Sequence, residues 1–253
     1  MTAPVVPAAW PACLPRLIRI AGALAFLSAA GCTDPAFGVA ESRQTTAVER
    51  VAELRHELRR DPADTGVLNE MGKIYADQGL WSESMGAYRE ALIVTPGDRG
   101  MLLGYGRGQL AQGDYAGALR TAQQAGGGDV AVLLLRSGAL TGLGRLTEAR
   151  AVLETAQRMN PRDLDVRSNI ALVAALQNDP AAYSIARAVA FAPDSTFSHI
   201  RNLVLIGGIT GNDAHARDDG ERRGLDASEI GDLLAVGRRA RIQGMQAITV
   251  LTR

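Results

Sequence analysis

Apolar positions in this chain fall into short helical stripes punctuated by glycine and proline. Leu68, Met71 and Tyr75 stand at i, i+3 and i+7, one face of a helix. Gly79 stops that helix and lets the chain turn. Ser84, Tyr88 and Ala91 then stand at i, i+4 and i+7 on a second helix, which Pro96 ends because it cannot continue the turn. Small residues at Gly72, Ser84 and Ala91 let the two helices approach closely, while Tyr75 and Tyr88 fill the space beside them. The pattern then returns. Gly79, Gly113 and Gly144 each close a first helix, at spacings of 34 and 31 residues. The second copy carries Leu102, Tyr105, Gly106, Tyr115, Ala118, Ala122 and Ala125, and ends in Gly126-Gly127-Gly128-Asp129. The third carries Leu133, Leu140, Leu146, Ala149, Leu153, Ala156 and Pro161. A fourth, weaker copy runs from Leu164 to about Ser195 through Ile170, Ala171, Ala174, Ala190 and Pro193.

With Thr65 as position 1, Leu68, Met71, Gly72 and Tyr75 fall at positions 4, 7, 8 and 11, and Gly79 at 15. Trp81, Ser84, Tyr88, Ala91 and Pro96 fall at 17, 20, 24, 27 and 32. This spacing resembles the tetratricopeptide repeat. The resemblance implies an all-α fold, a right-handed α-α superhelix (solenoid) of about four to five helical hairpins with capping helices. Repeats are expected near 65–98, 99–129, 130–163 and 164–195, with a degenerate one over 196–224 and a closing helix over 225–246. Pro62 lies 34 residues before Pro96, so Thr46 to Arg60, with Val51, Leu54 and Leu58 inward, is expected as an unpaired second helix capping the start. Phe197 to Ile209 reads as a fifth first helix, and Asp213 to Gly224 is polar enough that its partner helix is expected to be poor or absent. Asp226 is the expected N-cap of the closing helix, with Ile230, Leu233 and Leu234 on one face.

Composition narrows the function. The two cysteines, Cys13 and Cys32, both precede the repeats, so neither a disulfide framework nor a Cys/His zinc cluster can hold the body together. A body of this size buries about 70% of its unfolded surface without such staples. Charges balance at 27 and 27, Lys73 is the only lysine, and no arginine-dense stripe with interleaved aromatics exists to grip nucleic acid. Gly104-Tyr105-Gly106-Arg107-Gly108 lies inside a first helix, follows no strand, and reads as packing glycines, not a phosphate loop. No nucleophile elbow and no HExxH pair is present. Asp218-Asp219 and Arg222-Arg223 read as a solvated loop, and His56 as a solvated helix face. The chain is therefore expected not to be an enzyme and to need no cofactor or metal.

The first residues read as an address. Arg16 and Arg19 precede an apolar run, Ile20 to Ala30, of about 11 residues; a membrane span needs about 20. Basic residues, a short apolar core and small residues make a secretory signal peptide, expected over 1–31 and removed. Ala29-Ala30-Gly31-Cys32 resembles a bacterial lipobox, departing from it at Ala29, where leucine is usual. That resemblance implies acylation of Cys32. Ordinary signal peptidase cleavage after Ala30 would instead leave Cys32 a free thiol. Two or more acyl chains give stable anchoring. Residues 32–45 are expected as a flexible tether, since Thr33 to Thr46 is polar, lacks a period and contains Pro35 and Gly38. Thr33, where an aspartate would resemble an inner-membrane retention signal, favours the outer membrane, facing the periplasm.

In this repeat family the first helices line the concave side. Their groove-facing positions give Asn69, Lys73, Leu103, Arg107, Leu110, Leu134, Ser168, Leu172 and Arg201 as the candidate partner-binding surface. Leucines ringed by a few cations fit a protein segment with apolar anchors and some acidic character. These leucines can equally serve to pack neighbouring repeats. The carboxylate clamp of chaperone co-factors is not met, because Leu103 and Leu134 stand where polar residues are needed. Val130 to Leu135 is apolar around the whole helix and is expected at the array centre or in a contact between two copies of the chain.

The lipobox, the tether, a lone helix ending in Asp61-Pro62 and repeats closing with "NPRDLDVRSNIALVAAL" together resemble TadD-type lipoproteins of the tight-adherence (Flp) pilus machinery. That resemblance implies a pilotin or assembly factor whose partner is the secretin channel. An adaptor for peptidoglycan enzymes or for β-barrel assembly would use the same scaffold.

Overall fold

The computed structural model describes residues 35–243, with side chains for 46–242. Cys32 and the expected signal peptide lie outside the described residues. Two units divide at Arg43 and Gln44; the described part of the first is helical, and all packing below lies within the second.

Among the described residues there are helices and no strands. In chain order the helices are α1 (Pro35–Arg60), α2 (Thr65–Asp77), α3 (Trp81–Val94), α4 (Arg99–Ala111), α5 (Tyr115–Ala125) and α6 (Val130–Gly142). They continue as α7 (Leu146–Met159), α8 (Leu164–Leu176), α9 (Ala182–Ala190), α10 (Phe197–Thr210), α11 (Asp213–Arg222) and α12 (Ala227–Gln243). From α2 to α11 they form five hairpins, the superhelical array expected from the repeats. α1 precedes it as the lone capping helix, with Val51 and Leu54 buried against Val67, Met71 and Tyr75.

The same local chemistry builds each first helix. Asp64, Asp98, Asp129 and Asp163 cap the N-termini of α2, α4, α6 and α8, each carboxylate accepting from a backbone N–H two or three residues on. Such a cap contributes about 1 kcal/mol. At the other end, Gly79 takes φ 72°, its N–H donates to the Ala76 carbonyl, and the Leu80 N–H donates to the Tyr75 carbonyl. This paired closure satisfies two orphan carbonyls and turns the chain. The fourth repeat makes the same closure with Asn178 at φ 60°, which explains why no glycine marks its turn in the sequence.

Close approach follows from the small residues. The Ser84 hydroxyl, fully buried, donates to the Gly72 carbonyl at 2.8 Å. The Tyr88 ring is seated between α2 and α4: a Cβ on Gly72 would stand 2.7 Å from Tyr88 Cζ, and one on Gly104 2.3 Å from it. Gly106 and Gly108 likewise receive Leu135 and Met85, so the GYGRG run is a row of seats for neighbouring side chains. Gly72→Leu is expected to overpack this joint and lower the urea midpoint by the equivalent of about 1–3 kcal/mol. An unchanged midpoint would mean that Tyr88 is not confined there.

The Val130–Leu135 run is absorbed within the chain. Val132, Leu133 and Leu135 are buried, and Val130 and Leu134 pack on clusters formed with α7 and α8. The run thus sits at the centre of the array, as the first of the two alternatives expects.

Three expectations are corrected. Residues 35–45 are helical, where an irregular tether was expected: proline is tolerated at a first helical position, and Ala40, Glu41 and Gln44 favour helix over the single Gly38. Asp213–Arg222 is a helix in its own right. It packs through small residues that carry little hydrophobic signal: Ala216 lies against Gly207 of α10, and Gly220 against Val204 and Ile230. Asp218-Asp219 is accordingly not a solvated loop. Asp219 is buried, accepting from the Tyr183 hydroxyl at 2.9 Å and from Arg187 Nε at 2.7 Å and Nη2 at 3.2 Å, which ties α9 to α11. Burial first, then the hydrogen bond to Asp219, pushes the Tyr183 hydroxyl above the ordinary tyrosine value.

α12 closes the array. Its cap is Asp226, which accepts from the Glu229 N–H at 2.8 Å, and Ile230 and Leu234 are buried while Leu233 packs at the edge of the same cluster. α12 meets α10 at Gly208 and Gly237, with backbone against backbone.

Candidate partner-binding surface

The nine candidate residues lie on α2, α4, α6, α8 and α10, the first helices of the five hairpins. Neighbouring first helices run side by side. Tyr88 bridges α2 and α4, Leu110 of α4 reaches to 3.0 Å from the Cβ position of Gly138 on α6, and Asn202 of α10 donates to the Ser168 hydroxyl of α8 at 2.9 Å.

The structure divides these residues into three groups. Leu103, Leu110, Leu134 and Leu172 are half-buried, each touching a core cluster while keeping part of its surface in solvent. Packing neighbouring repeats and lining the first-helix face are therefore done by the same leucines. Ser168 and Arg201 are already engaged. Ser168 is buried on Asn202, and Arg201 forms an ion pair with Glu229 of α12. Asn69 is half-buried, and Lys73 and Arg107 are exposed.

The charges around Lys73 follow from α1. Arg50 binds Glu70 through Nε at 2.7 Å and Nη2 at 3.0 Å, and this pairing holds the Glu70 carboxyl below its usual range. Glu70 thus faces Arg50, and Lys73 forms no ion pair among the described residues. On α4, Leu103, Arg107 and Leu110 stand at i, i+4 and i+7, which sets the Arg107 guanidinium between two leucines on one face.

His199, which the sequence did not mark, joins α8 to α10. Its Nδ1 accepts the Thr196 N–H at 3.0 Å, and its Nε2 lies 2.9 Å from Asp165 Oδ1. Its only sequence signal is the Thr-x-x-His spacing, a departure from the usual capping box with its Glu or Gln. The recurrent capping aspartates are a sequence signal that the repeat pattern above did not use: Asp64, Asp98 and Asp129 stand at one fixed spacing before Gly79, Gly113 and Gly144, and Asp163 at the same spacing before Asn178. Among the described residues, no group of three or more His, Cys, Asp or Glu side chains stands close enough to hold a metal ion. No described helix is long and apolar enough to cross a membrane.

Residues 69–129 and 109–176 match family models described as tetratricopeptide repeat. A tetratricopeptide repeat protein from Parabacteroides merdae superposes with a TM-score of 0.66 at 17% identity, over 80% of this chain and 82% of that one. A thermophilic protein of the same repeat type from Thermus thermophilus gives a TM-score of 0.60 at 19% identity, over 69% of this chain and 98% of that one. No curated protein matches the sequence. Residues 69–176 thus match the tetratricopeptide-repeat pattern, and the five hairpins share the helical-array fold of these solved structures.

Proposed function

We propose that this chain is a lipid-anchored periplasmic scaffold that holds a protein segment on its first-helix face, acting as a pilotin or assembly factor for the secretin of a tight-adherence (Flp) type system. The observation that carries this reading is the run of half-buried leucines on α4, α6 and α8 beside Lys73 and Arg107, two cations without ion pairs among the described residues. Such a surface suits the gripping of a protein segment. The sequence before the repeats supplies the location: a basic, then apolar, then small-residue run ending in Cys32, which would carry the acyl chains into the outer membrane. Confining scaffold and secretin to one membrane raises their effective concentration, so modest affinity suffices.

Deletion of the gene is expected to lower the level of secretin multimers and of surface pili together. Unchanged values of both would refute the proposal. Recovery of peptidoglycan hydrolases or β-barrel assembly proteins without secretin, in a pulldown from envelope extracts, would favour the adaptor reading instead. The anchor has its own test: Cys32→Ser is expected to abolish incorporation of labelled palmitate, and persistent labelling would place the acyl chains on another residue.

A further inference from the structure

The first-helix face is uneven from end to end. Of the basic groups expected on it, Arg201 is neutralised by Glu229 at the carboxyl-terminal end, while Lys73 and Arg107 form neither a hydrogen bond nor an ion pair among the described residues. Both of these lie at the amino-terminal end, on α2 and α4, which Tyr88 holds side by side. The nearest carboxylate on α2, Glu70, is ion-paired to Arg50, and the Lys73 charge acts on it from farther off. Asp77, one turn beyond Lys73, is exposed and forms no ion pair among the described residues. From Arg107 onward the face becomes apolar: Leu103 and Leu110 flank it, then follow Leu134 on α6 and Leu172 on α8. Glycine occupies the next turn after Leu134, at Gly138, and Leu110 already fills that space. The carboxyl-terminal half of the face thus holds no uncommitted cation from the candidate set.

We infer that the occupant is a bipartite protein segment, a block of acidic residues joined to a block of leucine-like residues, held with its acidic block on Lys73 and Arg107 and its apolar block on Leu110, Leu134 and Leu172. This rests on the scaffold reading above and specifies what the scaffold holds. Charge complementarity fixes which end of the segment lies over α2 and α4 and speeds the encounter. Apolar burial along α6 and α8 supplies retention, since desolvating half-exposed leucines stabilises in proportion to the area covered. A segment that alternates acidic and apolar residues would place carboxylates on Leu134 and Leu172, where nothing compensates their desolvation.

Two fluorescein-labelled peptides of identical composition test this by fluorescence anisotropy with the full chain. One carries about four glutamates followed by leucines spaced with serine; the other alternates the same residues. The block peptide is expected to bind at least about tenfold more tightly than its alternating isomer, with an affinity that falls as salt rises. The Lys73→Glu/Arg107→Glu double variant is expected to lose at least about tenfold for the block peptide. Arg201→Ala is expected to leave that affinity unchanged. Both sites of the double variant are exposed, so its thermal midpoint is expected to match the wild type and to report folding independently. Equal binding of the two peptides, no binding of either, or a double variant that is folded and binds as wild type would each overturn the inference. None of these results touches the secretin reading, which stands or falls on multimer levels in the deletion strain.

Discussion

Gly237→Val is expected to destabilise the protein by about 3 kcal/mol or more, the upper end of what overpacking costs. A Cβ at Gly237 would stand 2.3 Å from the Leu205 carbonyl oxygen and 2.8 Å from both the Gly208 Cα and the Ile209 nitrogen. These are backbone atoms of a helix and cannot rotate aside, unlike the side chain of Tyr88 at Gly72. The two helices must separate, which opens the cluster that Leu205, Ile209, Ile230 and Leu234 share. Gly231 is the internal control. It lies in the same helix with nothing within 4 Å of its Cβ position, so Gly231→Ala is expected to be neutral or to stabilise by up to about 1 kcal/mol. Chemical denaturation of the two variants compares them directly, and equal midpoints would dismiss the crossing as the fastening of α12.

Asp219→Ala is expected to cost about 2 kcal/mol or more, through the loss of charge-assisted hydrogen bonds and the stranding of the half-buried Tyr183 hydroxyl. The Arg187 side chain is 50% exposed, so its freed charge can turn to water. That keeps the loss below the roughly 3–5 kcal/mol of a fully buried broken pair. The same site has a pH signature. Tyr183 titrates above its ordinary value of 10.0 because its neutral form is favoured in the fold. The stability it contributes is therefore complete below that value and is lost as pH climbs from there toward the folded-state value. Tyr183→Phe is expected to show a shallower alkaline loss of stability than the wild type. An alkaline limb of the same slope would assign the loss to other groups, among them Tyr88, whose hydroxyl is also raised by burial.

The repeats were legible wherever large apolar residues and closing glycines marked them. Leu68, Met71, Tyr75, Gly79 and Tyr88 predicted α2 and α3, and the later copies predicted α4 to α8, because a 3.6-residue period with a left-handed stop is local information. Legibility failed where the packing is done by residues that carry little pattern. α11 buries Ala216 and Gly220, and its chief anchor is the carboxylate of Asp219, so its sequence reads as solvated. The fourth repeat's closing turn uses Asn178, which a search for glycine passes over. The helical start at Pro35 was hidden by two residues that usually break helices.

On the candidate surface, the sequence placed all nine residues on first helices and could not say which of them were committed. Arg201 is spent on Glu229 and Ser168 on Asn202, contacts that span 28 and 34 residues of chain. The sequence by itself determined the helical repeat, its caps and its turns, since each depends on residues within a few positions of one another. Only the tertiary structure decided which cations stay uncommitted, which carboxylate is buried, and that two glycines bring α10 and α12 backbone to backbone. Those outcomes depend on which side chain another helix presents at a given point, and local periodicity carries no record of that.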